Sequence, residues 1–163
     1  MNLSQQVADY LAQNPNAITL EIAAEFNRPE GEILLALPTE FVRVFPAERA
    51  EEILKEISGW GVFTTILEKE GSIFEIKDRF PSGVIGRGYY NLNMKHQEGA
   101  LHGHLKLDNI AQIAFISLPF RGKESYNIAF IAHNGHTIFK VYLGRDENHK
   151  LFPEQIEKFK HFK

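Results

Sequence analysis

From Leu3 to Leu37 apolar positions recur at three- and four-residue intervals, whereas beyond Trp60 they alternate with polar ones at a period of two. That change of period predicts a helical beginning and a strand-rich remainder. Leu3, Val7, Tyr10 and Leu11 make one helical stripe behind Ser4 as N-cap, and Asn14-Pro15-Asn16 stops the helix. Thr19 is placed to cap a second helix from Leu20 to Phe26, and Pro29 suits the first turn of a third that ends before Pro38. Pro46-Ala47-Glu48 opens a longer amphipathic helix with Ala50, Ile53, Leu54 and Ile57 as its stripe, ended by Gly59-Trp60-Gly61.

The alternating part predicts strands over Val62 to Leu67, Ile73 to Ile76, Val84 to Leu92, Ala100 to Leu107, Ile110 to Leu118, Tyr126 to Ala132 and Thr137 to Leu143. Turn residues such as Asn134-Gly135 separate them, and the connections are too short for crossover helices. The sheet is therefore expected to be antiparallel and meander-like. A last helix begins near Pro153, with Ile156, Phe159 and Phe162 facing in. The expected fold is α+β: short N-terminal helices, a large antiparallel β-sheet and a C-terminal helix, in one domain over 1–163 with a helical subregion over 1–40. No internal repeat or low-complexity segment interrupts it.

Composition narrows the functions open to such a domain. Thirteen Phe among 163 residues supply a core. A net charge of −3 and a pI near 6.2 give no general attraction to nucleic acid or anionic lipid. The three short helices could be taken for a DNA reader, but up to Glu40 Arg28 is the lone strong cation against Asp9, Glu21, Glu25, Glu30, Glu32 and Glu40. Duplex binding needs several cations to displace counterions, so no nucleic-acid partner is expected. The start lacks the basic and apolar segments of a secretory signal, and Ile110 to Leu118 is too short to span a bilayer. A cytoplasmic protein with no membrane partner is the expectation.

Candidate chemistry centres on Leu101-His102-Gly103-His104-Leu105-Lys106, where two histidines one residue apart fall on the same face of an extended segment. The chain has no cysteine, which leaves imidazole as its strongest transition-metal ligand. No nucleophile elbow surrounds Ser82 or Ser125, and Glu51-Glu52 falls on the polar face of a helix. Gly83, Gly86 and Gly88 lack phosphate-loop spacing. His133 and His136 flank a hairpin, and Arg145-Asp146-Glu147 reads as a structural turn.

Around the histidine pair the chain runs Pro81-Ser82-Gly83, Gly88-Tyr89-Tyr90-Asn91-Leu92 and Lys95-His96 before it, and Pro119-Phe120-Arg121-Gly122-Lys123 and Leu143-Gly144-Arg145-Asp146 after it. Together with Ala36-Leu37-Pro38, Gly59-Trp60-Gly61 and Thr64-Thr65, that order resembles the HutX/ChuX family of intracellular haem-utilisation proteins. The resemblance covers most of the chain, and Leu143-Gly144-Arg145-Asp146 is its most specific string. It implies haem as the bound group, His104 as its iron ligand, a homodimer whose paired sheets resemble larger haem-handling relatives, and haem donor and acceptor proteins as partners. His102 is the alternative ligand or the ligand's partner, and His96 could approach the open axial position if the loop Gln97-Glu98-Gly99 folds back. Arg87, Lys95 and Arg79 are candidates for the propionates. Tyr89 and Tyr90 point to opposite faces, and Tyr90 is taken as the one that lines the site. The resemblance also implies a departure: a member of the family has a second haem-linked histidine after the two threonines, where this chain carries Glu68. The expected function is haem carriage without catalysis, with haem modification as the alternative.

Overall fold

The computed structural model describes residues 1–96 and 99–163. Among these residues there are five α-helices: α1 (Leu3–Gln13), α2 (Thr19–Phe26), α3 (Glu30–Leu35), α4 (Ala50–Ile57) and α5 (Pro153–His161). Their apolar stripes fall where the sequence places them, but two caps differ. Asn2, not Ser4, caps α1 by accepting from the Gln5 N–H at 2.9 Å. Thr19 lies inside the first turn of α2, and its hydroxyl instead donates to Glu30 at 2.6 Å.

The strands are β1 (Val42–Pro46), β2 (Val62–Lys69), β3 (Ser72–Arg79), β4 (Gly83–Gly86), β5 (Tyr89–Leu92), β6 (Gly103–Leu105), β7 (Ile110–Ile116), β8 (Asn127–Ala132) and β9 (Thr137–Leu143). All pairings are antiparallel. They form two sheets rather than the single one expected: six strands in the order β1-β7-β8-β9-β2-β3, and three in the order β4-β5-β6. The segment expected as one strand over Val84 to Leu92 is a hairpin. Arg87 (φ 55°) and Gly88 (φ 83°) both adopt the left-handed conformation that a two-residue turn of matching twist requires. The strand expected over Ala100 to Leu107 shrinks to Gly103–Leu105, and a 3-10 turn over Leu107–Asn109 follows it. β1 was not expected; it is a short edge strand that Pro46 ends, paired with β7.

Two cores hold these layers. Ile53, Leu54 and Ile57 of α4 and Phe159 of α5 pack with Tyr90 and Leu92 of the small sheet against Phe63, Phe130 and Val141 on one face of the large sheet. On its other face, Ala114, Ile116, Ala129 and Ile131 receive Val7, Leu11, Ile22, Ile33 and Leu34 from α1 to α3. A buried ion pair crosses that second layer, with the Lys140 ammonium 2.8 Å from Glu30. Gln155 ties α5 to β2 by donating to the carbonyls of Trp60 (3.0 Å) and Val62 (2.7 Å), while its own oxygen accepts from the Gly144 N–H at 2.8 Å. A side chain at Gly144 would collide with the Val62 carbonyl, which gives the glycine of Leu143-Gly144-Arg145-Asp146 a packing reason. Asp146 in turn accepts from the Asn148 and Lys150 N–H groups, so this segment is the structural turn its sequence suggests.

Candidate functional site

β5 is the central strand of the small sheet, and its alternation sorts chemistry from packing. Tyr90 and Leu92 face the core, whereas Tyr89 and Asn91 face out. Register sets His104 of β6 opposite Asn91, and Val84 of β4 opposite Asn91 on the other side. His104 Nδ1 lies 2.6 Å from Asn91 Oδ1, and its ring meets Tyr89 edge-on with centroids 6.0 Å apart. The Lys106 ammonium stands over that tyrosine, 5.3 Å from its ring centre.

The structure brings three of the sequence-predicted histidines together. The His102 ring lies 6.0 Å from that of His104, and His96 stacks on His102 with centroids 4.4 Å apart and planes 14° from parallel. All three are exposed. His96 occupies a left-handed turn position (φ 54°). The loop suggested to bring it toward a ligand includes Gln97 and Glu98, which lie outside the described residues. Among the described residues no group of three or more His, Asp or Glu side chains is placed to hold a bare metal ion. The imidazoles suit one bond each to a metal that brings its other ligands with it.

Lys95 lines a cavity of about 340 Å³ with Ser82, Gly83, Val84, Asn91, Asn93 and Met94, beside the His104 partner Asn91. Val84 is 62% exposed and Met94 49%, so this face offers apolar surface as well as cations. Arg87 projects from the tip of the β4–β5 hairpin, and neither Arg87, Lys95 nor Arg79 makes an ion pair among the described residues. Tyr90 corrects the sequence reading: it is fully buried behind the sheet, and Tyr89 stands beside His104 in its place. Asn91 was missed altogether. The signal was present in the alternation, since Asn91 is two residues from Tyr89 and shares its face.

A haem needs an apolar wall, an iron ligand and partners for two propionates. The outer face of the small sheet carries side chains of all three kinds on an open surface. Glu68 does not share it. Thr64, Ile66 and Glu68 alternate away from buried Phe63 and Thr65, and Glu68 lines a cavity with Leu20, Arg28 and Glu30 of the helical region. Glu68 thus lies on the helix side of the large sheet, while the small sheet packs against the opposite side.

A second concavity of about 620 Å³ lies over the part of the large sheet that the helices leave uncovered, lined by Thr64, Ile66, Lys77, Lys123, Tyr142, Arg145 and His149 among others. At its edge, burial pushes the Tyr142 phenol up from its usual range. Burial opposes the Lys140 charge, but Glu30 and Tyr142 together outweigh it and leave the ammonium pKa raised.

Residues 43–162 match the family described as haem utilisation ChuX/HutX. The intracellular haem transport protein HutX of Vibrio cholerae is 46% identical over 159 residues, which cover 98% of this chain and 81% of that protein. The crystallised haem-binding protein ChuX superposes with a TM-score of 0.83 at 28% identity, over 94% of each chain. The haem-degrading enzyme ChuS of Escherichia coli O157:H7 superposes with a TM-score of 0.74 over 94% of this chain and 46% of its own, at 14% identity, a likeness of fold alone. The family-wide match and the 46% identity across nearly the whole chain establish that this protein belongs to the ChuX/HutX haem-utilisation family.

Proposed function

We propose that the chain binds haem on the outer face of its small sheet, with His104 as the iron ligand, and carries it intact within the cytoplasm as part of haem use as an iron source. The observation that carries this reading is the gathering of His104, His102 and His96 on one exposed face, in a chain 46% identical to a haem transport protein. Bound haem supplies an iron centre that takes one or two axial donors. The residues here supply the rest: His104 donates as neutral imidazole, Tyr89, Val84 and Met94 give apolar contact, and Lys95 and Arg87 meet the propionates. His102 is the neighbouring donor, and Tyr90 supports the sheet from behind.

An open face covers one side of a flat ligand. A second copy of the chain supplies the other wall in our reading, and exposed apolar residues such as Ile73 (53%) and Phe74 (59%) on edge strand β3 support a homodimer. The intracellular setting follows the relative's name, and haem donors and acceptors are the partners that carriage requires.

Carriage rather than conversion is tested by a time course of the haem complex with a reductase and catalase present, followed by transfer to an apo-acceptor. The expected result is transfer with the porphyrin intact. Steady conversion to an open-chain tetrapyrrole, abolished in His104→Ala, would make the protein an enzyme instead.

A further inference from the structure

His104 does not stand alone on its strand: its Nδ1 is held by Asn91 Oδ1 at 2.6 Å, and the hydrogen bonds on the far end of that amide fix which way it faces. Asn91 Nδ2 donates to the Val84 carbonyl at 3.1 Å and to the Gly86 carbonyl at 3.1 Å. Both are backbone acceptors, and a carbonyl cannot donate back. Turning the amide over would set its oxygen against two carbonyl oxygens and exchange the two bonds it now donates to them for at most one, to an Nδ1 lone pair. The β4–β5 hairpin, closed by Arg87 and Gly88, thus orients Asn91 so that its oxygen alone can meet the imidazole.

An oxygen acceptor opposite Nδ1 needs a hydrogen on Nδ1. A neutral imidazole carries one ring hydrogen, so the lone pair is then on Nε2, the nitrogen on the far side of the ring from the anchored one. We propose that Asn91 is a positioning residue that holds His104 in the Nδ1–H form and so presents the Nε2 lone pair outward as the iron-binding atom. The iron half of this statement rests on the haem reading above; the tautomer half does not. The Tyr89 ring meets the imidazole edge-on beside this bond, so the arrangement is in place before any ligand arrives.

The test begins on the haem-free, full-length protein, with nitrogen-15 NMR of the histidine rings. His104 in the wild type is expected to show a protonated Nδ1 and an unprotonated Nε2, and Asn91→Leu is expected to lose that preference. Asn91→Asp cannot donate to Val84 and Gly86 either, so it loosens the hairpin as Asn91→Leu does, but it keeps an acceptor for Nδ1 and retains the tautomer. An Nε2–H form in the wild type, or equal behaviour of the two variants, overturns the proposal. In the ferrous haem complex the iron–histidine stretch should then rise in Asn91→Asp, whose carboxylate draws the Nδ1 proton more strongly, and fall in Asn91→Leu, with haemin affinity about tenfold or more weaker in the latter. Shifts of the same sign in both variants would reduce Asn91 to a hairpin brace. If the tautomer behaves as expected but haemin binds His104→Ala as it binds the wild type, it is the placement of iron on His104 that fails.

Discussion

The six-stranded sheet is covered by α1 to α3 over part of one face and by α4, α5 and the small sheet on the other, whereas the three-stranded sheet buries one face and leaves the other to solvent. The residues differ accordingly. Where the large sheet is covered it presents Phe, Ile, Val and Ala, with Lys140 neutralised by Glu30. The small sheet presents Tyr89, Asn91 and His104 outward from strands whose inward residues, Tyr90 and Leu92, belong to the main core. One region thus supplies stability and the other displays donors on a scaffold that the first holds still. Substitutions in the two regions should separate stability from binding.

The largest effect is expected at the buried ion pair. Lys140→Ala strands the Glu30 carboxylate between helix and sheet and should cost about 3–5 kcal/mol in urea unfolding, because an unpaired buried charge loses its partner but not its desolvation. Replacing both partners together, Lys140→Met with Glu30→Leu, should recover most of that loss. His104→Ala, on the exposed face, should move stability by no more than about 0.5 kcal/mol. A comparable loss in His104→Ala would erase the distinction between the regions.

Alkaline pH should weaken the core side more gently. Burial, together with the bond its hydroxyl donates to Glu124, pushes the Tyr126 phenol up to about 12. A group whose pKa is raised by folding contributes stability that is complete below its unfolded value, near 10 for a phenol, and is lost as pH rises through the folded value. Stability should therefore decline from about pH 10 toward about 12, and Tyr126→Phe should flatten that part of the decline. Tyr142 and Lys140, whose pKa values are also raised, contribute in the same direction, so a residual slope should persist in the variant. An identical slope in Tyr126→Phe would remove Tyr126 from the account.

The smallest effect is expected at Glu68. It faces the helical region across the large sheet from the small one, so Glu68→His should leave the haem absorption spectrum of the protein unchanged. New low-spin, two-histidine character would mean that this position reaches the ligand, through a partner copy or a different placement of haem.

Much of this division was legible in the chain. The helical stripes, the change of period after Trp60 and the shared face of His102 and His104 follow from local spacing, which depends only on backbone geometry. Sheet membership was not. Val84 to Leu92 reads as one alternating run until Arg87 and Gly88 are known to be left-handed, and pairing of β2 with β9 joins residues some eighty positions apart. The Tyr89-Tyr90 pair shows the same limit. Alternation says that one faces in and one out, but which is which depends on a register set by the hairpin and by the core behind it. Asn91 escaped notice because its role lies in a cross-strand contact with His104, thirteen residues away.

Titration of haemin into the wild type, His104→Ala, His102→Ala and His149→Ala, followed by the Soret band, decides whether His104 holds the iron. A shifted band and affinity weaker by about tenfold or more are expected in His104→Ala, a smaller change in His102→Ala and none in His149→Ala. Wild-type behaviour of His104→Ala, with the loss appearing instead in His149→Ala, would contradict that assignment and move haem to the concavity on the large sheet.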